Sequence, residues 1–124
     1  MTSQTDISFK DMCARFDVTP RTLRYYEYLE LLRPRRDGRA RLYGPREVAR
    51  LTLILRGRRF GFSLEEIRQW LEMYDTAGTR TQQEAWLKMA DRQLDVLRAQ
   101  HRRLGETIDE LETLRASTAR GTDV

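Results

Sequence analysis

From about Thr81 to Ser117 the chain carries no proline and a single glycine, Gly105, and its apolar residues recur at alternating intervals of three and four. Leu87, Ala90, Leu94, Leu97, His101, Leu104, Ile108 and Leu111 make up that series, which is the seam of a heptad repeat. At about 1.5 Å per residue, a helix over this stretch would be on the order of 55 Å long. A helix of that length with one narrow apolar stripe cannot bury the stripe against a small head, so it needs a partner helix. Gly105 weakens it by up to ~1 kcal/mol relative to alanine. His101 stands at a seam position either as a half-exposed spacer or, facing its symmetry mate, as a pH-sensitive contact.

The residues before this stretch are patterned for a compact head. Ile7, Phe9, Met12, Cys13 and Phe16 have helical spacing, which predicts a short helix over Ser8–Phe16. Thr19 is a good N-cap and Pro20 suits the first helical position, so a second helix is expected over Pro20–Leu29. Leu23 and Tyr26 lie on one side of it, with Arg21, Thr22, Arg24 and Tyr25 available to the other. Two short helices joined by a tight turn form a helix-turn-helix. Pro34, Gly38 and the arginines around them interrupt helix formation. Asp37-Gly38 is a favoured two-residue turn, so Leu31–Arg33 and Ala40–Tyr43 are expected to pair as a two-stranded wing with arginines at its tip. Pro45 opens a third helix that Gly61 ends after Phe60, and Ser63 with Glu66 forms the capping box of a fourth, ending near Tyr74. Gly57 sits inside the third helix, where a close approach of another backbone or of the wing would account for it.

The expected fold is therefore mainly α: a winged helix-turn-helix head of four helices and a two-stranded wing over residues 7–75, a linker at 76–80, a dimerisation helix at 81–117 and a disordered tail at 118–124. The long helix is expected to pair as an antiparallel coiled coil.

Charge separates the two regions. Residues 1–75 hold 15 basic and 11 acidic side chains, whereas residues 76–124 hold 8 of each. Between Arg33 and Arg59 there are 10 basic residues against Asp37 and Glu47. A concentrated cationic patch beside a neutral tail points to a polyanion-binding head and a partner-binding tail. Only Lys10 and Lys88 are lysines, and arginine's planar fork suits phosphate oxygens and guanine edges. One cysteine, Cys13, and one histidine, His101, leave no Cys-cluster metal site and few routes to acid–base catalysis. No enzyme activity, metal or cofactor is expected. Mean hydropathy is −0.70, and no long uncharged apolar run or secretory leader is apparent, so a cytoplasmic location with no membrane partner is expected.

Three motifs in order, VTPRTLRYYE (Val18–Glu27), RLY (Arg41–Tyr43) and RFGFSLEEI (Arg59–Ile67), resemble the MerR family of bacterial transcription regulators. RLYGPREVARL and LILRGRRFGFSLEEIRQWLEMYD are similar to its LiuR branch, associated with leucine, isovalerate and acyl-CoA degradation genes. The resemblance implies that Arg21, Thr22, Arg24 and Tyr25 enter the major groove, and that Arg41 and Tyr43 hold flanking phosphates with Arg39 nearer the wing tip. It also implies that Arg58 is the cation of a second wing. Tyr26 would contact the DNA backbone or belong to the core. Ala40 stands where the family has an aromatic residue. The implied protein is a nucleoid-associated homodimer on a pseudo-palindromic promoter operator, bending and untwisting DNA so that RNA polymerase can engage.

A small-molecule effector, an acyl-CoA or another catabolic intermediate, would bind near Trp70, Tyr74, Trp86 and Met89, unless those residues are simply core. Two rival readings are an excisionase-like architectural DNA-binding protein without ligand control, which would lack the heptad tail, and a helical adaptor that binds no DNA.

Overall fold

The computed structural model describes residues 6–75 and 80–121 and contains, in order, β1 (Ile7–Ser8), α1 (Phe9–Phe16), α2 (Pro20–Tyr28), β2 (Arg35–Asp37), β3 (Ala40–Tyr43), α3 (Pro45–Phe60), α4 (Leu64–Asp75) and α5 (Arg80–Ala119). The chain divides into two units, Met1–Gly78 and Thr79–Val124.

In the first unit, local capping chemistry sets where the helices begin and end. Ser8 caps α1 by accepting from the Asp11 N–H at 3.1 Å, and Asp17 ends it in the left-handed region at φ 53°. Thr19 Oγ1 accepts from the Thr22 N–H at 3.1 Å, with Pro20 in the first turn of α2. The Ser63–Glu66 capping box is reciprocal: Glu66 N–H donates to Ser63 Oγ at 3.1 Å, and Ser63 N–H to Glu66 Oε1 at 3.0 Å. Gly61, at φ 90°, stops α3 where a side chain would be strained.

The carboxyl end of α2 is tied to the rest of the head by two arginines. Arg50 Nε of α3 donates to the Leu31 carbonyl at 2.9 Å, and Arg68 Nη2 of α4 donates to the Leu29 carbonyl. Cations at a helix carboxyl end also suit its macrodipole. Glu47 is buried in the first turn of α3. It is paid back for lost hydration by the Arg33 N–H at 2.9 Å and by Arg46 Nη1 at 3.2 Å.

The wing departs from expectation in three ways. Its first strand is Arg35–Asp37 rather than Leu31–Arg33, because Leu31 and Leu32 are both 1% exposed and belong to the core. The two-residue turn is Gly38-Arg39, since Asp37 pairs with Ala40. Of those two residues only Gly38 has positive φ, at 61°, the sign pattern of a II′ turn with glycine first. The sheet has three strands rather than two, in the order β1-β3-β2 with both pairings antiparallel. Ile7 lies opposite Tyr43 and Ser8 opposite Leu42, so these two residues add a strand to the wing, and the first helix begins at Phe9, one residue after the expected Ser8.

Gly57 is explained by side chains of α4, not by another backbone or the wing. A Cβ there would lie 2.8 Å from Ile67 Cγ1 and 3.2 Å from the Trp70 ring. Its missing side chain lets α3 and α4 meet closely.

The second unit is α5, a continuous helix of 40 residues. It runs past the expected end at Ser117, and residues 118 and 119 are helical rather than disordered. Of the expected linker, Arg80 is the first residue of α5 and 76–79 lie outside the described residues. Leu87, Leu94, Leu97, Leu104, Ile108 and Leu111 are 36% to 63% exposed along it, His101 is also exposed and Ala90 half-buried. Among the described residues, no helix is long and apolar enough to cross a membrane.

Candidate nucleic-acid interface

The face of α2 opposite its core side is built from the helical period. Leu23 and Tyr26 turn inward and are buried, which leaves Arg21, Arg24, Tyr25 and Tyr28 on the outer face at spacings of three and four. Thr22 is linked to the cap: its Oγ1 accepts from Thr19 Oγ1 at 2.9 Å, leaving the Thr22 proton to donate elsewhere.

Six of the expected contact residues share one open cleft of about 600 Å³. Arg21, Thr22, Arg24, Tyr25 and Tyr26 come from α2, Arg58 from the last turn of α3, and Leu64 of α4 completes the lining. Arg58 is steadied at the Gly61 turn, where its Nη1 lies 3.5 Å from the Phe62 carbonyl. Tyr26 is 6% exposed and is a core residue whose edge reaches the cleft. Burial pushes its hydroxyl above the usual tyrosine range, against the opposing pull of Arg58.

The wing residues stand apart from this cleft. Arg39 is exposed in the tip turn. Arg35 at the start of β2 pairs with Asp6 at 2.5 Å, which ties the wing's outer strand to the N-terminal segment. Arg41 is partly covered: its Nε lies 3.2 Å from Glu27 Oε2, and its guanidinium stands 5.4 Å from the centre of the Phe9 ring. Tyr43, expected to hold a phosphate, is instead fully buried, and its hydroxyl donates to Glu27 Oε1 at 2.6 Å. With no exposed surface, Tyr43 is not placed to touch a phosphate; it meets Glu27, which in turn faces Arg41. Burial first, and then the hydrogen bond and charge of Glu27, push its pKa far above the usual tyrosine range.

Glu27, Phe9, Leu64 and Tyr28 are not expected at the site from the sequence. Tyr28 had a readable signal, because it falls one turn beyond Arg24 and Tyr25 on the same face and is 81% exposed. The other three owe their place to partners distant in the sequence. Cys13 is half-buried in α1, and burial raises its thiol pKa.

Of the residues expected to hold an effector, Trp70 is buried in α4 with its ring against Phe62 at a centroid distance of 6.4 Å. Trp86 and Met89 stand on α5, and the side chain of Tyr74 lies outside the described residues. Among the described residues, no group of three or more His, Cys, Asp or Glu side chains is placed to hold a metal ion.

A helix-turn-helix whose second helix presents arginines and tyrosines outward, beside an arginine-bearing β-ribbon, defines a winged helix-turn-helix DNA-binding regulator. Residues 7–74 match the pattern of the MerR HTH family regulatory protein, and residues 48–114 match that described as MerR, DNA binding. The chain belongs to the MerR family of DNA-binding transcriptional regulators. It is 37% identical over 101 residues to an uncharacterized HTH-type transcriptional regulator of Pseudomonas aeruginosa, a match covering 79% of this chain and 69% of the relative. It spans about half the length of other curated relatives.

Among solved structures, a MerR-family transcriptional regulator from Bacillus cereus aligns with a TM-score of 0.77 at 26% identity, over 96% of this chain and 87% of its own. HiNmlR, a MerR family regulator lacking the sensor domain and bound to promoter DNA, shares the fold with a TM-score of 0.73 at 22% identity, over 94% of this chain and 92% of its own.

Proposed function

We propose that this regulator works as a homodimer, with the α5 seams of two copies paired antiparallel and two heads set on a pseudo-palindromic promoter operator. The observation that carries the DNA-contact assignment is the shared cleft, which puts Arg21, Thr22, Arg24 and Tyr25 of α2 beside Arg58 of α3. Arg24 reads base edges in the major groove, while Arg39 and Arg41 of the wing and Arg58 hold phosphates on either side. Cations on both flanks of a recognition helix can offset the roughly 1–6 kcal/mol that bending a site of this kind costs. Bending and untwisting of the promoter, which lets RNA polymerase engage, is the proposed mode of control.

The test is duplex binding at several salt concentrations. Affinity is expected to fall steeply as salt rises, because phosphate contacts release counterions. Arg41→Ala should weaken binding to all duplexes alike, whereas Arg24→Ala should reduce the preference for the selected site. Equal losses on selected and random DNA for Arg24→Ala would contradict the major-groove assignment.

The similarity of α3 and α4 to the LiuR branch supports a narrower proposal: genes of leucine, isovalerate or acyl-CoA degradation as targets, with an acyl-CoA or related intermediate as effector. Titration with acyl-CoAs should then change both tryptophan fluorescence and operator affinity. No change in either removes the effector.

A further inference from the structure

Phe9 follows β1 directly as the first residue of α1, and its ring is half-buried. Two guanidinium groups approach that ring from different elements. Arg24 reaches it from α2, with its central carbon 5.8 Å from the ring centre, and Arg41 reaches it from β3 at 5.4 Å. Both fall inside the range of about 6 Å over which an aromatic face attracts a cation.

These two arginines belong to the two parts of the head that meet DNA differently, the recognition helix and the wing. Like charges gathered at one ring repel each other, and two features offset that repulsion. The ring's π density is one. The Glu27 carboxylate is the other, 3.2 Å from Arg41 Nε and held by the Tyr43 hydroxyl at 2.6 Å.

The ring is located by backbone as well as by its own packing. Ile7 and Ser8 pair with Tyr43 and Leu42 of β3, and Ser8 caps the helix that Phe9 begins. The wing strand carrying Arg41 is therefore paired with the short strand that runs directly into Phe9. Arg24 meets the pair of strands through the Phe9 ring.

We infer that Phe9 is a positioning residue for DNA recognition, holding Arg24 and Arg41 at a set separation so that both engage one duplex together. A free arginine side chain loses rotamer freedom when it binds, and one already resting on a ring loses less. Because Arg24 discriminates among sequences and Arg41 does not, Phe9 affects preference as well as affinity. The inference rests on the DNA-contact roles proposed for those two arginines.

The test begins with the chain selecting its own duplex from a randomised library. That duplex and an unselected one of equal length are then titrated by fluorescence anisotropy. Phe9→Leu keeps apolar bulk but no π face, and should lose about three- to tenfold in affinity for the selected duplex, with a smaller loss on the unselected one. Phe9→Tyr keeps the ring and should restore binding. Replacing Phe9 with a trifluorinated phenylalanine preserves the shape while draining the π charge, and should weaken binding as the leucine variant does. It also decides the matter if Phe9→Leu fails to fold.

In a chain carrying both Arg24→Ala and Arg41→Ala, the loss from removing the π charge should disappear. Parent-like binding by the fluorinated chain overturns the inference, as does a loss that persists undiminished in the double-alanine background. A chain that selects no duplex at all overturns the DNA-contact reading beneath it, an outcome distinct from normal binding by every Phe9 variant.

Discussion

Leu51 and Leu104 are the same residue type in two helices of one chain, with opposite surroundings: Leu51 in α3 is 0% exposed and Leu104 in α5 is 60% exposed. The head closes its own core from short helices and a small sheet, whereas α5 carries a row of large apolar side chains that its own helix cannot cover. The same contrast separates two glycines. Gly57 faces Ile67 and Trp70 at less than van der Waals distance for any added carbon, while Gly105 has nothing within 4 Å. One region is specified by tertiary packing within the chain. The other is specified by helical period, and its apolar stripe stays exposed along α5.

Substitutions can break or sharpen that contrast. Leu51→Ala should cost about 2–5 kcal/mol through lost burial and the cavity it leaves. Chemical denaturation should show a loss independent of protein concentration; Leu104→Ala should instead show one that depends on it. Tyr43→Phe removes the donor that holds a mostly buried carboxylate and should cost about 1–3 kcal/mol in the head. It should also weaken DNA binding modestly, because Glu27 then acts on Arg41 alone.

Gly57→Ala should destabilise the head, since overpacking costs about 1–3 kcal/mol and alanine's helix propensity returns at most about 1 kcal/mol. Gly105→Ala has no such clash and should stabilise α5 by up to ~1 kcal/mol. Thermal unfolding of the two variants should move in opposite directions, and movement in the same direction would break the comparison.

The smallest effect expected is alkaline. Tyr43 and Tyr26 keep their protons in the folded head to higher pH than an unfolded tyrosine does. Unfolded tyrosine titrates near about pH 10. The stability tied to these protons is thus complete below that pH and is lost as pH rises above it. Tyr43→Phe should flatten this decline, as measured by denaturation across the alkaline range.

Much of the head was readable because its boundaries are set by adjacent residues. Thr19 with Pro20, Ser63 with Glu66, and Gly61 after Phe60 each act within a few positions, and the helices begin or end there. The wing was less readable, since β2 is the wholly exposed Arg35-Arg36-Asp37 with no apolar alternation to mark a strand. Leu31-Leu32 carried the apolar signal instead, and it reported core burial. The pairing of Ile7–Ser8 with β3 depends on residues more than thirty positions away and has no local signature. The site divides in the same way. The outward face of α2 follows from helical period, but the Tyr43–Glu27 bond and the ring of Phe9 between two arginines exist only once the chain has folded.

Sedimentation equilibrium of the purified chain over a wide concentration range tests most directly whether the uncovered stripe of α5 is an interface between copies. Material converging on twice the 14.7 kDa chain mass, and shifted back toward one chain by Leu97→Asp, is the predicted result. A mass of 14.7 kDa at every concentration would contradict it.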